Sequence, residues 1–309
     1  MNTRSISPAA GPLTGAGLWP ASWTPILLLV PVFVALATVS VYPIINGFWL
    51  SFTNTSLALQ QSDFVGFENY VSMWGDPLFW NAWYHTVYFT LVSTLLETIL
   101  GLGMALLLYE PFTGRSIVRA AMLVPWAMPT VVTSKMFGWL FDGQHGLINY
   151  LLRSVGLISE NVNWYGSVDN ALGTIIFADV WKTAPFMALL ILAGLQTVPK
   201  SLIEAAHMDG TNAWQTFWHI RLPLLLPTML IAGLFRALDA FRVFDLVYVL
   251  TGGGPGDSTE VLSTLSYKTM FSTLQFGYGS ALSTAMFITE ALLALGFGFF
   301  IVRQMRRQG

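Results

Sequence analysis

The chain has 309 residues, of which 54% are hydrophobic and only 10% are charged, and its mean hydropathy is +0.62. A soluble globular chain carries roughly 25% charged residues, so this composition indicates a membrane protein. The net charge of −2 gives no reason to expect nucleic acid as a partner. The absence of cysteine excludes disulfides, thiolate zinc sites and cysteine nucleophiles, and the 4 scattered histidines do not form a metal-binding pattern.

Six apolar stretches are long enough to cross a bilayer, for which a helix needs about 20 mostly apolar residues. The sequence therefore predicts an all-α membrane protein in which residues 26–302 form one domain of six transmembrane helices. Residues 1–25 are expected to be a flexible cytoplasmic tail rather than a cleaved signal, and residues 303–309 a basic cytoplasmic tail. The predicted spans are 26–49, 83–109, 116–141, 170–197, 225–249 and 279–302.

Lysine and arginine are distributed unequally between the two sets of loops that these spans define. Short cytoplasmic loops are enriched in both residues, so the richer set is assigned to the cytoplasm together with both termini. The richer set holds Arg4, Arg115, Arg119, Lys200, Arg221, Arg303, Arg306 and Arg307, and the other set holds Arg153 and Lys268.

A polar segment, residues 201–223, separates the fourth and fifth predicted spans. Ser201 and Glu204 have the spacing of a capping box, Gly210 suits a left-handed helix end, and Pro223 is expected to break the next helix. A second helix is expected to start with the pair Asn212 and Gln215. The first helix is short and needs a surface to pack on, which is either this protein or a partner. Its narrow apolar face consists of Leu202, Ala205, Ala206 and Met208.

The spacing of Glu204-Ala205-Ala206, Gly210 and Ile220-x-Leu222-Pro223 resembles the EAA loop of binding-protein-dependent ABC importer permeases. Asp209 and Phe217 also fit the carbohydrate-uptake branch of that family. The resemblance implies that residues 199–223 are a cytoplasmic coupling loop that docks into a separate ATPase. The coupling residues that it implies are Glu204, Ala205, Ala206, Asp209 and Gly210.

Other stretches resemble the same family, including residues 66–70, 180–186, 195–199 and 239–256. The resemblance is to the subunit related to the larger maltose permease protein, in the branch with trehalose-type permeases. It implies a multi-pass protein of the bacterial cytoplasmic membrane. The implied partners are a second homologous permease subunit, two copies of a cytoplasmic ABC ATPase and an extracytoplasmic sugar-binding protein.

The sequence contains no G-x-x-x-x-G-K-[ST] phosphate-binding loop, and no set of residues stands out as catalytic. The chain is therefore predicted to be a transport subunit without cofactors of its own. ATP and magnesium would be used by the partner ATPase.

Several charged residues fall inside the predicted spans, where they normally face the interior of the bundle or a wet cavity. The fifth span carries Arg236, Asp239, Arg242 and Asp245 at intervals of three residues, which predicts one polar stripe along the helix. The fourth span carries Asp179 and Lys182 on either side of Trp181, while Glu97 and Glu290 lie in the middle of the second and sixth spans.

These charges either form internal ion pairs that fix helix packing or line a path for a polyhydroxylated solute. The second interpretation is consistent with sugar chemistry, since Asp239, Arg242 and Asp245 lie beside the aromatic residues Phe241 and Phe244. The family resemblance agrees, because the matching stretch of the maltose permease lines a sugar site. The predicted path also includes Asp179, Trp181 and Lys182.

Alternatives remain open at this stage. An ion- or proton-coupled transporter would use Asp179, Asp239 and Glu290 as proton carriers, and a membrane scaffold would have no use for them. Aromatic residues of the predicted outer loops are either an interfacial belt or a docking surface for an external protein. These aromatic residues are Trp74, Phe79, Trp80, Trp164 and Tyr165.

Overall fold

The computed structural model describes residues 24–308, and this range is mostly helical, with isolated bridges in place of strands. The first helical segments are α1 (Thr24–Leu36), α2 (Tyr42–Leu50), α3 (Glu68–Trp74), α4 (Pro77–Tyr109), α5 (Arg115–Ala127), α6 (Thr130–Leu140) and α7 (Leu147–Ser154). They are followed by α8 (Val168–Leu195), α9 (Lys200–Met208), α10 (Ala213–Thr216), α11 (Leu222–Phe241), α12 (Asp245–Leu250), α13 (Leu262–Phe271) and α14 (Phe276–Gln308). The π-helical segments Ala37–Val41 and Phe217–Arg221 connect α1 to α2 and α10 to α11.

Five helical stretches in the described range are long and apolar enough to cross a membrane. Each overlaps one predicted span, but the limits differ. The stretch of the fifth predicted span begins 12 residues before and ends 8 residues before the predicted limits, since α11 ends at Phe241. The stretches are Ile26–Leu50, Pro77–Tyr109, Val168–Leu195, Ala213–Phe241 and Phe276–Arg303.

The third predicted span is not a straight helix. Its residues form α5 and α6, which meet at an angle of 92°. The break falls at Met128, whose backbone is extended, and at Pro129, which precedes α6. A residue before proline is disfavoured in the helical conformation, so the proline accounts for the position of the bend. The pair provides a sixth crossing if its two helices count as one span.

Contacts divide the chain at residue 47 into two compact units. Within the described part of the first unit, one apolar helical stretch passes through Pro31 and the π-helical segment. The predicted tail at residues 1–25 lies almost entirely outside the described range. At the other end of the chain, α14 continues to Gln308, so the predicted boundary at residue 302 is not a helix end.

The second unit is built around α8, an apolar helix that is 67% buried over its most apolar stretch, against 6% for α14. A helix that is hydrophobic on all sides belongs in the centre of a bundle. Gly101 of α4 allows the closest approach to α8, since a Cβ atom there would lie 2.8 Å from Met187 Cβ. Gly194 similarly brings α8 against Thr228 of α11. Small residues at crossings are the usual means of packing transmembrane helices.

Two predictions about residues 201–223 are wrong. The first concerns Ser201, which cannot cap α9 because the helix begins one residue earlier, at Lys200, after an extended Pro199. The second concerns Pro223, which does not break the next helix. The helical stretch that starts at Ala213 continues to Phe241, and the π-helical turn before Leu222 places Pro223 in the first turn of α11, where proline is tolerated.

Candidate functional site

A cluster of four charged side chains joins the central helices of the second unit. Arg236 of α11 forms ion pairs with Glu97 of α4, Asp179 of α8 and Asp239 of its own helix. Its Nη2 donates to Glu97 Oε1 at 2.9 Å, and its Nη1 donates to Asp239 Oδ2 at 3.1 Å. The predicted proximity of Arg236 and Asp239 is therefore confirmed, and two further carboxylates complete the cluster.

Local geometry fixes the two buried carboxylates. The Thr183 hydroxyl donates to Glu97 Oε1 at 2.6 Å, and it also lies 2.6 Å from the carbonyl oxygen of Asp179. Glu97 and Asp179 lie near the middle of α4 and α8, so the cluster lies deep within the apolar part of both helices.

The side chains of the cluster differ in their exposure to solvent. The side chains of Arg236 and Glu97 are 3% and 0% exposed, whereas that of Asp239 is 69% exposed. Three carboxylates share one guanidinium, and Lys182, one turn from Asp179, is partly exposed. The arrangement is therefore a buried ion-pair network across α4, α8 and α11, with one exposed carboxylate at its edge.

The remaining residues of the predicted path do not continue that face as one stripe. The helix ends at Phe241, so Arg242 follows it and Asp245 begins α12, where both are exposed. Arg242 Nε lies 3.3 Å from Glu290 Oε1 of α14. The prediction of four charges on one helix was wrong for Arg242 and Asp245, because α11 ends at Phe241 and a separate helix begins at Asp245.

The two phenylalanines differ in their surroundings. Phe241 is 1% exposed and packs in a core cluster with Phe79, Leu262 and Leu282, so the structure places it away from any exposed path. Phe244 is partly exposed and stacks on Tyr248, with ring centroids 5.2 Å apart. Trp181 is 38% exposed on α8, and its ring packs edge-on against Phe137, with centroids 5.3 Å apart.

Two charged groups within the predicted spans did not enter the predicted site. Glu97 was recognised as a mid-span charge, but its partner is 139 residues away and no local pattern connects them. Lys135 lies on α6 inside the third predicted span. A lysine in an apolar stretch is the sequence feature that could have identified it as a candidate site residue. It lines a pocket of about 500 Å³ with Trp139 and Asp142. The backbone N–H groups of His145 and Gln144 donate to Asp142 and hold the pKa of its carboxyl below its usual range.

The predicted coupling residues lie on α9 and the turn that follows it. Glu204, Ala205 and Asp209 are exposed, as is Met208 at 88%, whereas Ala206 is only 7% exposed. Of the two surfaces that the sequence left open for this apolar face, Ala206 packs against its own protein. The exposed apolar face consists of Leu202, Ala205 and Met208.

The turn after α9 is firmly structured. Gly210 has a φ of +79°, as predicted for a left-handed helix end. The predicted cap at the next helix is confirmed, since Asn212 Oδ1 accepts from the Gln215 backbone N–H at 2.9 Å and the Gln215 side chain accepts from the Asn212 N–H at 3.0 Å. The Thr211 N–H and hydroxyl both donate to the carbonyl oxygen of Ala206. These bonds hold α9 at a fixed angle to the helix of α10 and α11.

The outer aromatic residues do not form one surface. Phe79 is buried, and Trp164 and Tyr165 are partly buried against a core cluster. Trp164 also donates to Asn149 Oδ1 at 3.0 Å. Trp74 and Trp80 are exposed at 67% and 38%, so of the five aromatic residues named above this pair remains available for a membrane interface or a partner.

Several apolar spans around a buried polar cluster, together with an exposed helix between two spans, define a polytopic membrane protein of the transporter class. A family model described as "Binding-protein-dependent transport system inner membrane component" matches residues 97–308. The chain belongs to this family. The family is a membrane component of ABC importers, so the importer hypothesis is favoured over the ion-coupled alternative.

Relatives of known systems match most of the chain. The trehalose/maltose transport system permease protein MalF of Thermococcus litoralis is 40% identical over 262 residues, which cover 85% of this chain and 88% of that protein. The sulfoquinovosyl glycerol transport system permease protein SmoG of Agrobacterium fabrum is 41% identical, with 85% of each chain covered. The trehalose transport system permease protein SugA of Mycobacterium tuberculosis is 37% identical over 88% of this chain and 86% of its own length.

A solved structure has the same fold. A bacterial ABC transporter involved in the import of the acidic polysaccharide alginate contains a chain that superposes with a TM-score of 0.80. The alignment covers 91% of this chain and 96% of that chain at 21% identity. The likeness establishes an ABC permease fold for the described helices.

Proposed function

We propose that the chain forms half of the translocation path of an ATP-driven sugar importer. The observation that carries the proposal is the Asp239 carboxylate, which is 69% exposed on a transmembrane helix beside a buried cluster. A charged group at this depth is costly against lipid and normally faces a wet cavity or another polar surface. The exposed face therefore requires a partner or a water-filled path along α11.

A second, homologous permease subunit provides that opposite wall. The face available to the solute comprises Asp239, Lys182 and Trp181, with Arg242 and Phe244 after the helix break. Carboxylate and guanidinium groups bind sugar hydroxyls, and aromatic rings pack against the C–H faces of pyranose rings. Asp179 acts indirectly in this proposal, by fixing Arg236 and thereby the orientation of Asp239.

Helix α9 is the coupling element to a cytoplasmic ABC ATPase, two copies of which use ATP and Mg²⁺. Leu202, Ala205 and Met208 form its exposed docking surface, and Glu204 and Asp209 border it. A helix of 9 residues with this exposure gains little stability alone in water, which is consistent with docking. The bonds around Gly210 and Asn212 transmit a displacement of α9 to α11, and thus to the path.

The membrane topology follows from the same proposal. The bent pair α5–α6 crosses the membrane as one span, so there are six spans and both termini are cytoplasmic. An extracytoplasmic sugar-binding protein delivers the solute from the opposite side. The excess of basic residues on the α9 side supports this orientation.

A substitution at Ala205 tests the coupling role. Ala205→Asp places a charge on the exposed docking surface and is expected to abolish uptake and substrate-stimulated ATP hydrolysis in reconstituted vesicles. Ala205→Ser, a conservative control at the same position, is expected to retain both. Normal transport by the aspartate variant, with wild-type insertion and assembly, would contradict the assignment of α9.

The substrate class is proposed to be a neutral di- or oligosaccharide, with trehalose and maltose-type glucosides first. The names of two similar permeases include trehalose, and the two cations of the path face, Lys182 and Arg242, are matched by Asp239 and by Glu290, which pairs with Arg242. A panel of sugars should be tested as competitors of uptake in the assembled transporter. Competition by trehalose or maltose is expected, and competition only by anionic sugars would contradict the class.

A further inference from the structure

A second polar site lies at the end of the bundle that carries α9. It is a pocket of about 610 Å³, formed where α4 ends, α5 begins and α8 passes into α9. Four basic side chains line it together with two carboxylates, those of Glu110 and Glu204, which leaves a positive charge excess of two, without counting His207. The basic residues are Arg115, Arg119, Lys200 and Arg221.

The existing contacts of these arginines leave some of their N–H donors without a hydrogen-bond acceptor. Arg221 Nη2 lies 3.7 Å from Glu110 Oε1, and its guanidinium carbon lies 5.4 Å from the Tyr109 ring centre. Arg119 Nη2 donates to the carbonyl oxygen of Leu108 at 3.4 Å. The Nε–H groups of Arg115, Arg119 and Arg221 are shielded from solvent and have no hydrogen-bond partner within the described range. Buried N–H groups normally have a hydrogen-bond partner, so this cluster of three guanidinium groups is short of acceptors.

We propose that this pocket binds a phosphate group, presented either by an anionic phospholipid or by a free phosphate compound. Guanidinium groups bind phosphate oxygens through paired N–H donors, and three of them converge here. Phe112 and Ile117, adjacent in sequence to the pocket, are 44% and 75% exposed. Exposed apolar side chains close in sequence to a basic pocket suit a lipid, whose head group enters the pocket while its chains remain outside.

The site would connect the surroundings of the transporter to its coupling helix. Lys200, Ile203 and His207 of α9 line the same pocket as Arg115 and Arg119 of α5. A bound phosphate would therefore cross-link α5 to α9. This role is separate from the sugar path, because none of the path residues lines the pocket.

Binding is measured on the full chain purified with its accompanying subunits. The first arm adds phosphatidylglycerol, against phosphatidylcholine, to mixed micelles and follows Tm. The second arm adds inorganic phosphate, against chloride, at constant ionic strength. For whichever compound raises Tm, Arg115→Gln/Arg119→Gln is expected to lower the affinity by about 25-fold, or about fivefold for each arginine. Arg153→Gln, on α7 and outside the pocket lining, is the control and should leave binding unchanged.

The two arms separate the possible sources. A Tm response to phosphatidylglycerol alone identifies a lipid site, and an equal response to inorganic phosphate identifies a site for a soluble phosphate; both support the proposal. Identical responses of wild type and the double glutamine variant would overturn it. The proposal would also be overturned if the double glutamine variant lost the ATPase from the complex but kept the wild-type responses to phosphate and lipid. The pocket would then bind an acidic group of that partner.

A second double variant distinguishes loss of the ligand-binding groups from misfolding. Arg115→Lys/Arg119→Lys keeps the charge but removes the paired donors, so it is expected to bind the same ligand with an intermediate loss. Wild-type affinity in this variant would contradict the role of the guanidinium groups. Elution as a single species in size-exclusion chromatography confirms that each variant is folded.

Discussion

Arg236 is the residue that holds α4, α8 and α11 to one another through charge. Its guanidinium is 3% exposed and contacts carboxylates from all three helices. Removing one member of a buried ion-pair network leaves the others uncompensated, which is more costly than never having formed the network. The stability of the bundle should therefore depend on Arg236 far more than on the exposed charges nearby.

Arg236→Gln is expected to destabilise the protein by about 3–5 kcal/mol, because Glu97 and Asp179 lose their shared cation. The measurement is thermal or denaturant unfolding in detergent. Arg242→Gln is the matched control, since Arg242 is 57% exposed in its pair with Glu290 and exposed pairs contribute about 0–1 kcal/mol. Adding Glu97→Gln and Asp179→Asn to Arg236→Gln should recover part of the loss. Equal effects of the two single arginine variants would exclude a special role for Arg236.

At this scale the sequence predicted which residues are polar inside the spans, but not all of their partners. The spacing of Arg236 and Asp239 on one helix was sufficient to place them together. Glu97 is separated from Arg236 by 139 positions, and only tertiary packing brings them into contact. Ala206 shows the same limit, because the direction of a short helix's apolar side depends on the surface beneath it.

Glycines determine how closely the helices of the bundle approach one another. Gly101 and Gly103 lie on opposite sides of α4: a Cβ atom at 101 would lie 3.0 Å from the Ala188 nitrogen of α8, while a Cβ atom at 103 would meet nothing within 4 Å. Transmembrane helices gain most of their association energy from such close packing. The two glycines therefore provide a matched pair of substitutions.

Gly101→Ala is expected to destabilise the α4–α8 interface by about 1–3 kcal/mol, since the new methyl group overlaps backbone atoms that cannot move independently. Gly103→Ala should be neutral or slightly stabilising, because alanine is a better helix former than glycine. The Tm of each variant in detergent checks the difference. Similar Tm values for the two variants would contradict the role of Gly101 in the α4–α8 interface.

Element boundaries illustrate what local sequence can and cannot determine. Apolar length located the five long helices, and Asn212 with Gln215 correctly marked a helix start. Pro223 was predicted to end a helix, yet the π-helical turn at Phe217–Arg221 allows the helix to continue through it. Whether a proline interrupts a helix depends on the hydrogen bonds of the preceding turn, which the neighbouring helices help to fix.

For the whole molecule, the proposed topology of six spans depends on how the bent pair α5–α6 crosses the membrane. With 13 and 11 residues, the two helices have lengths of about 20 Å and 17 Å. At a bend of 92° they can cover about 25 Å along the membrane normal, slightly less than the roughly 30 Å of a typical hydrocarbon core. Local thinning of the bilayer can compensate for this difference. A re-entrant loop would instead return to the side on which α5 began, and the two topologies place the end of α6 on opposite sides.

Single cysteines distinguish these topologies, and the natural chain contains none. Ser116→Cys at the start of α5 and Gln144→Cys after α6 are both exposed positions. In right-side-out vesicles, a membrane-impermeant maleimide is expected to label Gln144→Cys but not Ser116→Cys, with the reverse result in inverted vesicles. Met208→Cys on α9 should behave as Ser116→Cys does, because the proposed topology places both in the cytoplasm. Labelling of Ser116→Cys and Gln144→Cys from the same side would establish a re-entrant pair and leave five crossings, whereas labelling from opposite sides makes α5–α6 one bent span.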